Sequence, residues 1–209
     1  MKKTVTLLAL ALSMSAFSQG SCCPTGGNRF DQISLEAEYG LNYSRNPSQS
    51  DFKHWGIGIR YMFNEYWGIK FDYANDRFSD DNGKKGTGSL YYRLSAQAVY
   101  NIGRVLNFNR LTNGNLNLLL HSGVGYSHLN VYENKESDNI GNFIIGGTLQ
   151  YYISDRFALT GDVSGILNFR QQNGFDSSHA SDTFTGKMLN ASIGLTYYFG
   201  KNKNTADWR

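Results

Sequence analysis

Glu36 and Glu38 are the residues whose spacing most directly suggests chemistry. Two carboxylates at positions i and i+2 of a β-strand lie on the same face, where one could act as general acid and the other as general base. The residues between and around them are apolar, so the same pair could instead line a polar interior and neutralise cations there. We favour ion pairing over catalysis, because charges buried in a narrow space must be paired.

Other combinations that could support catalysis or metal binding are weak. His121–Ser122 and Ser127–His128 are adjacent pairs, and adjacent strand residues point to opposite faces. The four histidines lack the spacing of metal ligands. Cys22-Cys23 is a vicinal pair that would form a strained disulfide, so an intermolecular bridge or an unstructured leader is the better interpretation. The sequence therefore predicts no catalytic residue, no metal site and no cofactor.

Glu36 and Glu38 belong to one of eight segments in which apolar or aromatic residues alternate with small or polar ones. This period of two predicts β-strands. The strands are expected at about 31–44, 53–63, 67–74, 89–101, 116–127, 145–153, 157–169 and 189–199. Leu119 breaks the pattern. Tight turns after strands two and six and a longer connection at 102–114 would lie at one end, and polar loops at 45–51, 75–88, 130–141 and 171–186 at the other.

The alternation favours a membrane barrel over a soluble sandwich or a lipocalin-like barrel. No mature segment is apolar for the ~20 residues that a membrane helix needs. The chain has 14 Tyr, 23 Gly and a mean hydropathy of -0.44, which suit strands with one apolar and one polar face. The aromatic residues fall near both ends of the strands, as expected for two interfacial girdles. The prediction is an all-β protein, a closed, eight-stranded antiparallel transmembrane β-barrel with an up-and-down meander.

The residues expected to face the barrel interior carry charges of both signs. An eight-stranded interior is only wide enough for side chains to fill. We therefore predict a plug of ion pairs, to which His54 and His121 could contribute, and keep a lined pore as the alternative. The predicted interior charges are Glu36, Glu38, Arg60, Lys70, Asp72, Arg93 and Asp162.

The N-terminus has the features of a secretory signal. Lys2 and Lys3 precede a short apolar run, and small residues at 16 and 18 suit a peptidase. We expect a signal peptide at 1–18, a periplasmic leader at 19–30, the barrel at 31–199 and a periplasmic tail at 200–209. The net charge of +3 is too small to indicate nucleic acid or any other acidic partner.

The last strand also resembles the terminal assembly signal of bacterial outer-membrane barrels, with Ser192, Gly194, Tyr197 and Phe199 at the four specified places. With the signal peptide and the eight strands, the chain resembles OmpA- or OmpX-type barrels. The resemblance implies integration into the outer membrane, contact with its lipid, delivery by the barrel assembly machinery and both termini in the periplasm. No peptidoglycan-binding domain follows in this sequence, so cell-wall anchoring is not expected.

The resemblance implies a structural or interaction role without catalysis, with a narrow channel for ions or small solutes as the first alternative and a lipid-modifying enzyme as the second. Four small residues on the predicted lipid face form a possible groove for an envelope protein partner or a lipid tail. The other explanation is that they relieve strain as a small barrel curves. These residues are Ser122, Gly147, Gly161 and Gly165.

Overall fold

The computed structural model describes residues 32–45, 48–79, 88–132, 137–176 and 178–199. The predicted signal peptide at 1–18, the leader at 19–30 and the tail at 200–209 lie outside the described residues.

Eight strands form one closed antiparallel sheet in which each strand pairs with its neighbours in sequence and β1 pairs with β8. This confirms the predicted eight-stranded meander. We call the end with the β2–β3, β4–β5 and β6–β7 connections the turn end, and the opposite end the loop end. The strands are β1 Gln32–Arg45, β2 Ser48–Met62, β3 Trp67–Ser79, β4 Gly88–Tyr100, β5 Leu116–Val131, β6 Ser137–Ser154, β7 Phe157–Asn173 and β8 His179–Phe199.

The pairing register fixes the stagger of the barrel. A row of paired residues that starts at Ile33 returns to β1 at Tyr43, ten positions further along. It passes through Tyr61, Ile69, Ala98, Ser122, Ile145, Gly165 and Leu189. A stagger of ten residues over eight strands tilts the strands by about 40° from the axis. Along such a row of paired residues, each move to the next strand in the order β1 to β8 therefore shifts the position by about 1.25 residues towards the loop end.

The burial pattern follows the predicted alternation. Over most of β1, β2 and β7, exposed or half-buried side chains alternate with buried ones, and large apolar residues dominate the exposed face. Leu119, which breaks the sequence pattern, is fully buried and packs inside with Met62 and Val99. The polar interior therefore contains a small apolar cluster near the turn end.

The predicted loops were too long. The strands extend well beyond the segments in which apolar and polar residues alternate. β2 begins at Ser48, and β8 begins at His179 inside the predicted loop 171–186. Towards the loop end both strand faces carry polar residues, so the alternation of hydrophobicity fades although the backbone pairing continues.

The connection at 102–114 contains two short helices, α1 (Ile102–Val105) and α2 (Phe108–Leu111), that the sequence did not predict. The Asn101 side chain caps α1 by accepting a hydrogen bond from the Arg104 N–H. Gly103 packs so closely against Asn117 that a Cβ would overlap its side chain. Among the described residues, no helix combines the length and apolarity needed to cross a membrane.

Candidate functional site: the barrel interior

Glu36 is the centre of the interior charge cluster. Its two carboxylate oxygens lie 2.8 Å from Arg60 Nη1 and 2.9 Å from Lys70 Nζ. Arg60 and Lys70 are paired residues of β2 and β3, and the inward alternation of β1 brings Glu36 against both. All three side chains are buried, so two cations share one carboxylate in a region of low dielectric.

A second group joins Asp72 to Arg93. The nearest separation between the carboxylate and the guanidinium is 3.9 Å, and the Gln97 amide donates hydrogen bonds to Asp72 and, at 3.0 Å, to Ser95 Oγ. Gln97 Oε1 lies 2.6 Å from His121 Nδ1. Gln97 therefore links the Asp72 group to the Asp162 group through His121.

Asp162 contacts polar groups of β5, of β6 and of its own strand, β7. Its Oδ2 lies 2.9 Å from His121 Nε2 and accepts a hydrogen bond of 2.7 Å from Thr148, while its Oδ1 accepts one of 2.5 Å from Ser164. The ring of His121, which was considered only as an additional member of the interior set, is thus a direct partner of this acid.

Glu38 lies at the other side of the interior and is half-buried. It accepts a hydrogen bond of 3.0 Å from Ser192 and lies 3.7 Å from His54 Nε2. The other ring nitrogen of His54 lies 2.8 Å from Asp76, which is fully buried. Sequence reasoning missed Asp76 because it placed 75–88 in a loop. The alternation through Lys70, Asp72 and Ala74 could have found it.

The charged centre lies between two groups of apolar side chains, here called the apolar layers, and the turn-end group adjoins buried polar residues such as Asn117 and Gln150. Towards the turn end are Met62, Val99 and Leu119, and towards the loop end is a larger cluster that includes Phe175 from the β7–β8 connection. The Phe175 ring is 4.5 Å from that of Phe78 and 5.6 Å from that of Tyr91, and its carbonyl accepts a hydrogen bond from Ser89. The remaining members of the loop-end cluster are Leu129, Val131, Ile140, Ile144, Ile166 and Met188.

Some buried polar atoms of the centre have no hydrogen-bond partner among the described protein groups. These atoms include Arg93 Nε and Nη1 and Asp72 Oδ1. Because buried polar groups are nearly always hydrogen-bonded to protein or water, the region around Arg93 is suited to hold water.

The four residues of the proposed assembly signal lie on the strand that closes the barrel. Ser192 points inwards to Glu38, and Gly194 approaches the Ala37 carbonyl so closely that a Cβ would overlap it. Tyr197 and Phe199 point outwards, with ring centroids 4.8 Å apart in an edge-to-face arrangement. Backbone pairing on both sides joins this strand to β1 and β7.

The four small residues of the predicted groove also face outwards. A Cβ added at Gly161 would meet nothing within 4 Å, and one at Gly165 or Gly147 would make only ordinary contacts at 3.6–3.7 Å. Gly147 pairs with Val163, which lies between Gly161 and Gly165 on β7. Ser122 donates a hydrogen bond of 3.1 Å to the Ile144 carbonyl. The glycines thus form a shallow depression around Val163.

The geometry around the other residues considered for chemistry does not form a catalytic group. His121 points into the interior whereas Ser122 lies on the outer side of the same strand. Glu36 contacts two cations, whereas Glu38 contacts Ser192 and His54. The two carboxylates are therefore not arranged as a general acid and a general base. Within the described ranges, no group of three or more His, Cys, Asp or Glu is placed to hold a metal ion.

A closed eight-stranded barrel with an apolar outer surface and a polar interior defines an integral β-barrel protein of the bacterial outer membrane. The chain belongs to the outer membrane protein beta-barrel domain family, which matches residues 4–199. This confirms the resemblance on which the sequence-based class was founded.

Solved structures show the same fold at low sequence identity. Neisserial surface protein A is 14% identical with a TM-score of 0.55, covering 83% of this chain and 99% of that one. A major outer membrane protein from Thermus thermophilus is 14% identical with a TM-score of 0.55, covering 81% and 99%. The N-terminal barrel of Pseudomonas aeruginosa OprF is 16% identical with a TM-score of 0.51, covering 81% and 99%. No curated protein matches the chain significantly.

Proposed function

We propose that this protein is a sealed outer-membrane barrel with a structural or interaction role and no catalytic activity. The observation that carries the proposal is the filled interior, in which the Glu36, Asp72 and Asp162 groups lie between the two apolar layers, and the Asn117–Gln150–Tyr198 hydrogen bonds fill the rest of the turn end. An ion crossing the barrel would have to leave water, pass both layers and disrupt buried ion pairs.

A narrow channel is the second candidate, and the Arg93 region favours it. Three polar atoms there lack protein partners, so water can occupy the middle of the barrel. Conduction would then require the two apolar layers to part. The sealed state is the better proposal because the loop-end layer packs nine side chains together, including the Phe175 ring.

We propose further that both termini are periplasmic, which places the turn end in the periplasm and the loop end outside the cell. An even number of strands returns the chain to the side from which it started. The long strands at the loop end then project beyond the membrane, and short connections on the periplasmic side are usual for such barrels. The β8 residues Ser192, Gly194, Tyr197 and Phe199 would be read by the barrel assembly machinery.

Cysteine accessibility tests whether the interior is sealed. In a background in which Cys22 and Cys23 are replaced by serine, Ser95→Cys places a thiol in the buried centre and Ser178→Cys places one on the exposed loop end. We expect a membrane-impermeant maleimide to label Ser178→Cys rapidly and Ser95→Cys only after unfolding. Labelling of both folded variants at similar rates would favour the water-filled channel.

The depression around Val163 is our proposed contact for an envelope protein or a lipid tail. Because the glycines have open space on the lipid side, Gly161→Trp with Gly165→Trp should fill it without unfolding the barrel. The double variant should keep its heat-dependent gel shift and lose crosslinked complexes that the wild type forms in cells. Unchanged crosslinking would mean that the glycines only relieve strain in the curved barrel and do not form a contact site.

A further inference from the structure

Five cationic side chains form a band around one side of the barrel near the loop end. They come from five strands that are neighbours in the closed sheet, β7, β8, β1, β2 and β3. All five residues are exposed. This cationic patch consists of Arg170, Lys187, Arg45, Lys53 and Arg77.

The register places the five residues at nearly the same height. Arg45 and Lys187 lie one position beyond the pair Ser44–Met188, and Lys53 and Arg77 lie one position beyond the pair His54–Asp76. With a climb of about 1.25 residues per strand, the whole patch spans about three residue steps, or about 8 Å along the axis.

Arg170 reaches the outer surface through an irregularity of the backbone. The β7–β8 register shifts between Asn168 and Gln171, both of which are buried, and Arg170 has a φ of 61°. This left-handed conformation is unfavourable for a non-glycine residue. As an extra residue in a bulge, Arg170 is exposed next to the outward-facing Phe169 instead of alternating into the interior.

The distribution of charge around the barrel is uneven. β5 and β6 contain no Lys or Arg, and the single cation of β4, Arg93, is buried in the interior. Within the patch, Asp51 lies 2.9 Å from Lys53, so this acid offsets one of the five positive charges. Among the described strand residues, the exposed cations near the loop end are therefore concentrated on the β7–β3 side.

The patch lies directly beyond the apolar surface of the barrel. Tyr43, Trp55 and Leu189 lie two residues from Arg45, Lys53 and Lys187, respectively, on the same strand faces, and all three are exposed. Large aromatic side chains mark the headgroup level of a membrane. The cations therefore sit where lipid headgroups meet the barrel.

We propose that the cationic patch binds the phosphate groups of anionic lipids in the leaflet at the loop end. Arginine and lysine hydrogen-bond phosphate oxygens strongly, and the adjoining apolar surface would hold the acyl chains of the same lipid. This continuity with the lipid-facing surface selects a lipid phosphate over a soluble anion. The inference does not depend on whether the interior is sealed.

The test compares two double variants of the purified barrel in a neutral detergent, with diphosphorylated lipid A as the probe. Arg77→Gln with Lys187→Gln removes two charges from the patch. Arg110→Gln with Arg156→Gln removes two exposed charges from the turn end. We expect the first pair to weaken lipid A binding by about tenfold or more and the second to change it by less than about threefold.

Two controls accompany this comparison. Dephosphorylated lipid A should bind the wild type weakly, and inorganic phosphate at equal concentration should not displace the lipid. Equal losses in both double variants, equal binding of the dephosphorylated lipid, or displacement by inorganic phosphate would each overturn the proposal. Heat-dependent gel migration verifies that every variant is folded.

Discussion

Glu36→Ala is expected to lower the free energy of unfolding by about 3 to 5 kcal/mol, the largest loss for any single interior charge. Glu36 lies within 2.9 Å of both Arg60 and Lys70, so its removal leaves two buried cations without their nearest carboxylate. Water entering the interior would reduce the loss. Urea titration of the barrel in lipid vesicles, followed by tryptophan fluorescence, measures the change.

Glu65→Ala provides a matched control, because Glu65 also forms an ion pair, 3.4 Å from Arg104, but its side chain is 51% exposed. Its loss should cost no more than about 1 kcal/mol. Replacing Glu36, Arg60 and Lys70 together by Leu, Met and Met should recover much of the stability, since apolar side chains can substitute for a buried ionic group. Equal effects of Glu36→Ala and Glu65→Ala would show that the Glu36 cluster does not hold the barrel together.

Gly123→Ala is expected to cost about 3 kcal/mol or to prevent the barrel from closing. A Cβ at this inward position would overlap the Ala96 carbonyl oxygen of the neighbouring strand, and Gly40 has the same relation to Ala191. Backbone atoms of paired strands cannot move away without breaking the ladder between them.

Gly161→Ala is the control for this prediction, because a Cβ there meets nothing within 4 Å. Both variants are refolded from urea into detergent, and the fraction with the mobility of the folded barrel is measured on unboiled gels. Gly161→Ala should refold like the wild type, and Gly123→Ala should not. Similar refolding of the two variants would mean that β4 and β5 can separate locally at Gly123 while the barrel still closes.

The membrane-facing part of the fold could be predicted because lipid on one side and a polar interior on the other impose a strict period of two. Tyr39 and Glu38 are neighbours with opposite environments for this reason. The loop end could not be predicted in the same way. There the faces of β8 no longer differ in polarity, so the pairing between Gln171 and Phe184 has no signature in the sequence.

The interior was predictable in composition but not in its contacts. Alternation assigns Asp162 to the inside, yet its partner depends on the stagger of the closed sheet, which brings His121 of β5 to within 2.9 Å. Similarly, Phe175 belongs to a turn in sequence, and only the path of the β7–β8 connection places its ring on Phe78 and Tyr91. Long-range register therefore determines the ion pairs and the apolar layer above them.

Single-channel recording of the wild-type protein in planar bilayers tests the sealed interior most directly. With apolar layers at both ends and the Glu36 cluster between them, we expect a baseline without long-lived conductance steps in concentrated potassium chloride, after insertion has been verified by heat-dependent gel migration of the reconstituted protein. Large, long-lived open states of the folded wild type would contradict the sealed barrel and establish the channel instead.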